Sequence, residues 1–130
     1  MSEFKKIEGP GIPKAAGPYS QAIIAGDFLF VSGQIPIDPA TGKLVAAEIR
    51  LQTNRVLDNL AAILQAGGCS FKDVVRAEVF MQDLNDFTAL NEEYAKRFPQ
   101  AAPPVRQTIQ VARLPLDALV EISCIALISR

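Results

Sequence analysis

Apolar and polar positions along this chain alternate between strand spacing and helix spacing. Ile49, Thr53, Val56, Leu57, Leu60, Ile63 and Leu64 recur at the helical period, with Arg50, Asn54, Arg55, Asp58 and Asn59 largely on the other side. This predicts a long amphipathic helix, ended at Gly67-Gly68. Residues 74–81 (VVRAEVFM) then read as a strand. Asn85 or Asp86 is placed to cap a second helix, in which Phe87, Leu90, Asn91, Tyr94 and Phe98 share a stripe, and Pro99 ends it. Val105 to Val111 and Ala118 to Ile128 read as the last two strands, with a turn at Leu114-Pro115 between them.

Proline and glycine punctuate the first third. Residues 9–18 (GPGIPKAAGP) form an extended loop, because three Pro and three Gly prevent a helix. Tyr19 to Ala25 and Phe28 to Ser32 predict a hairpin around the turn at Ala25-Gly26-Asp27. Residues 35–45 carry a turn at Asp38-Pro39 and Thr41-Gly42, flanked by short extended pieces. The order ββ(β)αβαββ is an α+β pattern over a single domain, residues 1–130, with two helices covering one face of the sheet.

The other face needs a cover. The last strand is apolar on both sides, with Val120, Ile122, Cys124 and Ala126 on one and Ile125 and Leu127 on the other. Residues 74–81 behave similarly, with Val75, Ala77, Val79 and Met81 opposed by Val74 and Phe80. A large apolar patch left exposed marks a partner surface, and a second copy of the chain is the economical partner.

Composition then removes mechanisms. The chain contains no His, so Ser-His-Asp and Cys-His nucleophilic catalysis have no base. Without His, Cys69 and Cys124 are the only soft metal ligands, and the usual zinc sets are absent. Two Cys in a reducing compartment are most simply free thiols. The net charge of −1 provides no basic excess for phosphates, which disfavours general nucleic-acid or membrane-surface binding. The start, Met-Ser-Glu-Phe-Lys-Lys, lacks an apolar core after its charges, and no apolar run reaches the ~20 residues of a membrane span. These features read as a soluble cytoplasmic protein.

Two charged residues stand out. Arg106 follows Pro103-Pro104 on a strand otherwise poor in charge, sharing a face with Thr108 and Gln110. Its planar fork could clamp a carboxylate bidentately, or could pair with a structural Asp or Glu at a sheet margin. Glu121 lies in the most apolar stretch of the chain. Desolvation there raises a carboxylate's pKa and makes a better base near neutrality, while a salt bridge across the sheet is the structural alternative. Ser32-Gly33 closes a buried strand, where glycine permits close approach of a ligand or serves a turn. Tyr19 and Asn91 are polar tips in apolar company.

These residues fall within separated blocks that resemble one family. Gly17-Pro18-Tyr19-Ser20-Gln21-Ala22, Val31-Ser32-Gly33-Gln34-Ile35-Pro36, Asp83-Leu84-Asn85-Asp86-Phe87, Pro104-Val105-Arg106, Val111-Ala112-Arg113-Leu114-Pro115 and Val120-Glu121-Ile122 are similar, in order and in one register from about Gly17 to Ser129, to the Rid (YjgF) imine deaminases. The resemblance implies a chorismate-mutase-like α+β subunit in a homotrimer, with active sites in clefts between subunits. It implies hydrolysis of 2-imino acids, formed from 2-aminoacrylate and 2-aminocrotonate, to 2-oxo acids and ammonia, without cofactor or metal. Arg106 then corresponds to the key arginine and Glu121 to the carboxylate that positions water. Tyr19, Ser32, Gly33, Asn91 and Thr108 match the remaining pocket positions.

The chain departs from the family pattern in three places. Pro-Val-Arg replaces the common Pro-Ala-Arg, and Thr108 stands where Cys is frequent, a position expected to act through its backbone. Ser123 stands where a second Glu is common. Two other readings stay open at the level of sequence: a ribonuclease, and a non-catalytic small-metabolite binding or chaperone-like module. Glu121 separates the last from a deaminase, because a pure carboxylate binder needs Arg106 but no base.

Overall fold

The computed structural model describes residues 4–129. Residues 1–3 and 130 lie outside the described residues, and with them the part of the leader reading that rests on Met1, Ser2 and Glu3. The strands are β1 (Phe4–Ile7), β2 (Ala22–Ala25), β3 (Phe28–Gln34), β4 (Ile37–Asp38), β5 (Lys43–Leu44), β6 (Val74–Met81), β7 (Val105–Gln110) and β8 (Val120–Leu127). The helices are α1 (Ile49–Ala66) and α2 (Phe87–Ala95). Six strands form one sheet in the order β1-β2-β3-β8-β6-β7, and β4 and β5 make a separate ribbon. Every pairing in the large sheet is antiparallel except β6 with β7, which run parallel because α2 carries the chain back between them. The result is an α+β fold, as the order of elements predicts, and its sheet is mixed.

The core lies between one face of the sheet and α1. Val56, Leu57, Leu60, Ile63 and Leu64 are fully buried against Leu29, Ala77, Val79, Met81, Val120, Ile122 and Ala126. α1 packs on β3 and β8, with α2 beside it. The polar side of α1 is less polar in use than its residues suggest. Asn59 is fully buried, donating to the carbonyls of Ile35 and Ile37. Gln52, also buried, donates to Val45 O and accepts from Leu119 N. These amides tie the irregular segment 35–45 and the start of β8 to the helix, so their burial follows from backbone groups that need partners.

Three local differences from the sequence reading have physical causes. β1 was not expected; its four residues FKKI carry two Lys and bury only Ile7, so no alternation announces it. β2 begins at Ala22 rather than Tyr19, because side chains reach the preceding turn: Ser32 Oγ donates to Ser20 O and Gln21 Nε2 to Pro13 O. A bulge between Val74 and Arg76 reverses the faces assigned to the two valines. Val74 joins Ala77, Val79 and Met81 in the core and Val75 is exposed.

A charged cluster fastens the two helices. Glu93 on α2 is buried, and its carboxylate accepts from Arg50 Nη1 (2.9 Å), Asn54 Nδ2 (2.9 Å) and Lys96 Nζ (3.1 Å). Arg97 reaches back to Asp58 on α1 at 2.8 Å. The hydrogen bond from Asn54, then those from Lys96 and Arg50, lower the Glu93 pKa from 4.5 to about 2. A depressed carboxylate contributes stability that is complete above its unfolded pKa and is lost as pH falls through its folded one. The fold is therefore expected to weaken between about pH 4.5 and pH 2. Melting temperature against pH checks this: Glu93→Gln should melt lower than the parent at pH 7 and converge with it near pH 2.

Candidate functional site

Arg106 stands on β7, the edge strand, where it pairs with Ala77 of β6. Ala77 faces the core, so Arg106 projects to the helix-covered side, and its half-buried guanidinium lies against α2. Its Cζ is 4.7 Å from the Tyr94 ring centre and 5.7 Å from that of Phe87. Among the described residues no carboxylate lies within ion-pair distance of it, so the margin salt bridge weighed above is not formed. Thr108, two residues on, shares this side, and its buried hydroxyl has no partner. Asn91, on the same stripe of α2 as Phe87 and Tyr94, is half-buried. Arg106, Thr108 and Asn91 thus belong to one side of the sheet.

Glu121 belongs to the other. It pairs with Phe80 of β6, three residues from Ala77 and hence on the opposite face, which no helix covers. The carboxylate is half-buried, makes no ion pair among the described residues, and has its pKa raised above 4.5 by desolvation. A β-bulge puts it beside Gly33. Val31 pairs with Cys124 and Gln34 with Ile122, so Ser32 and Gly33 together oppose Ser123. A Cβ on residue 33 would lie 2.5 Å from Glu121 Oε2 and 2.9 Å from its carboxyl carbon. Glycine is required there for the carboxylate to occupy its position. Gly33→Ala should leave the melting temperature nearly unchanged, since the flexible carboxylate end can move, and should lower any activity that depends on Glu121 by roughly tenfold or more.

Ser32 and Tyr19 line a cavity of about 440 Å³ with Phe4, Ser20, Ile23 and Phe30. The Tyr19 ring is half exposed, and its hydroxyl accepts from Ala16 N at 3.2 Å. A second cavity of about 480 Å³, between β1 and the 9–18 loop, shares Tyr19 as a wall. The residues singled out in the sequence therefore form two groups: Arg106, Thr108 and Asn91 under α2, and Glu121, Gly33, Ser32 and Tyr19 on and beside the uncovered face. One chain does not bring the groups together. The uncovered face also exposes Phe28, Phe30, Val105, Ile109 and Leu127, each 39–62% accessible. Among the described residues no set of three His, Cys, Asp or Glu converges as metal ligands, and no helix is long and apolar enough to cross a membrane. Cys69 and Cys124 are buried free thiols, and burial pushes that of Cys124 up to about 12.

The shared stripe of Phe87 and Tyr94 is legible in the sequence, but their contact with Arg106 is not. Aromatics seven apart on the helix preceding an edge-strand arginine were the available signal.

Comparison with known proteins identifies relatives in sequence and in fold. A RutC family protein of Pyrococcus horikoshii is 53% identical over 88% of this chain and 90% of its own length. A protein of Capra hircus named 2-iminobutanoate/2-iminopropanoate deaminase is 44% identical over 88% of this chain and 82% of its own. The crystal structure of E. coli TdcF with bound serine superposes with a TM-score of 0.88 at 43% identity, covering 96% of this chain and 99% of that one. The family model described as endoribonuclease L-PSP matches residues 11–128. With the two-helix mixed-sheet fold and the matching sequence blocks, these findings show that the chain belongs to the endoribonuclease L-PSP family, the YjgF/Rid family.

Proposed function

We propose that this protein hydrolyses small 2-imino acids to 2-oxo acids and ammonia, at a site shared by two copies of the chain within a homotrimer. The observation that carries the reading is the unpaired guanidinium of Arg106, in a chain 44% identical to a protein named as such a deaminase. A relative crystallised with serine, itself a small α-substituted carboxylate, supports the same ligand class.

The chemistry needs little. Arg106 grips the substrate carboxylate through two parallel N–H donors, with Asn91 and Thr108 beside it. The imine carbon is already electrophilic. Glu121 of the adjacent copy orients a water and takes its proton as the C–O bond forms, while the C=N electron pair moves to nitrogen, which then receives that proton from Glu121. The resulting carbinolamine collapses as Glu121 relays its hydroxyl proton to the nitrogen: the C=O bond forms, the C–N bond breaks and neutral ammonia leaves. Gly33 leaves room for the carboxylate, and Ser32 and Tyr19 close the pocket on that side.

Two arguments support sharing between copies. Arg106 and Glu121 occupy opposite faces of one sheet, so a single chain cannot present both to one substrate. The uncovered face exposes Phe28, Phe30, Val105, Ile109 and Leu127 beside the Arg76–Glu78 ion pair, and burying these apolar side chains at ~25 cal/mol per Å² supplies several kcal/mol towards association. A closed trimer is the assembly implied by the family resemblance.

The test generates 2-aminoacrylate in situ with a serine dehydratase and follows pyruvate. Accelerated pyruvate release supports the deaminase. Pyruvate binding without acceleration supports a binding module instead. The family model's endoribonuclease description would gain support from RNA cleavage that co-purifies with the protein and survives Arg106→Ala.

A further inference from the structure

An arginine that must bind a substrate carboxylate faces a conflict. Its side chain has to be held in one geometry, yet a neighbouring Asp or Glu would occupy the fork that the substrate needs. Arg106 is held without one. Its guanidinium lies over the Tyr94 ring at 4.7 Å and is flanked by Phe87 at 5.7 Å. Tyr94 is in turn stacked on Phe98, with centroids 4.2 Å apart and planes inclined by 19°, and Phe98 meets Phe71 edge-on at 4.9 Å. The cation therefore caps a column of three aromatic rings. Tyr94 and Phe98 are buried in the core, whereas Phe87 is partly exposed.

We infer that Tyr94 and Phe87 are positioning residues for the Arg106 clamp: their rings hold the guanidinium and leave its edge donors free for a carboxylate. This rests on the proposed role of Arg106. Aromatic faces attract a cation through their quadrupole and accept none of its in-plane N–H bonds, so they restrain the group without competing for the fork. The Tyr94 hydroxyl is buried close enough to Arg106 to feel its charge but makes no well-aligned hydrogen bond among the described residues, so its removal leaves no group newly unpaired. The ring is the working part, and Phe should replace Tyr there.

The test measures pyruvate Kd by calorimetry and KM and kcat for 2-aminoacrylate in Phe87→Leu, Tyr94→Leu, Tyr94→Phe and Arg106→Lys, with melting curves for each. Tyr94→Leu should raise Kd and KM by roughly tenfold, the scale of a desolvated cation–π contact, and the more exposed Phe87→Leu by roughly threefold, each with a smaller change in kcat. Tyr94→Phe should restore binding. In an Arg106→Lys background Tyr94→Leu should cost little more, because the group it positions is gone. The inference is overturned if folded Phe87→Leu binds pyruvate like the parent while Arg106→Lys does not, or if the Tyr94 and Arg106 losses simply add. Should Tyr94→Leu fail to fold, Phe87→Leu decides, since its ring is partly exposed. If Arg106→Lys itself binds pyruvate as the parent does, the clamp has failed, and the positioning role fails with it.

Discussion

Glu121→Gln is expected to lower turnover by about 10²–10⁴-fold, the usual contribution of a positioned general base, while pyruvate still binds. Gln can hydrogen-bond the attacking water but cannot take its proton. The pH dependence follows from burial. Desolvation raises the Glu121 pKa above 4.5, so the base is protonated and activity falls at a higher pH than for an ordinary carboxylate. The parent's acid limb should vanish in the Gln variant. A carboxyl group with a raised pKa weakens the fold once it ionises, so the Gln variant should melt no lower than the parent at pH 7. A variant that loses oxo-acid binding together with catalysis would make Glu121 structural.

Arg106→Lys should cut kcat/KM by about a hundredfold, or roughly 2.7 kcal/mol, the scale of a lost charge-assisted bidentate contact. Lysine keeps the charge, but it offers a point charge where the substrate carboxylate needs a planar fork. The fold should be unaffected, since Arg106 has no ion-pair partner in it. Near-parental kcat/KM in a folded Lys variant would remove the clamp.

Much of this arrangement was legible from residue order. The periodicity of α1, the run 74–81 and the two-sided apolar character of β8 predict the elements that form the core, and they appear there. What escaped depends on tertiary register. Alternation along β7 or β8 gives relative faces within each strand, but only their common pairing with β6 shows that Arg106 and Glu121 point opposite ways. The Val74–Arg76 bulge and the strand Phe4–Ile7 carry no local pattern of their own. Asn59 looks like a surface residue until segment 35–45 supplies carbonyls for it. The setting of Arg106 escaped because the aromatic stripe of α2 serves the core at one end and a cation at the other.

Subunit mixing tests the shared site most directly. Arg106→Lys and Glu121→Gln chains, each nearly inactive alone, are co-expressed with different tags and the mixed assemblies isolated. In a mixed ring of three, one site in three joins an intact Arg106 from one chain to an intact Glu121 from its neighbour, so roughly a third of parental activity should return. Mixed assemblies no more active than either variant alone would contradict the account, because they would place both residues' work within one chain.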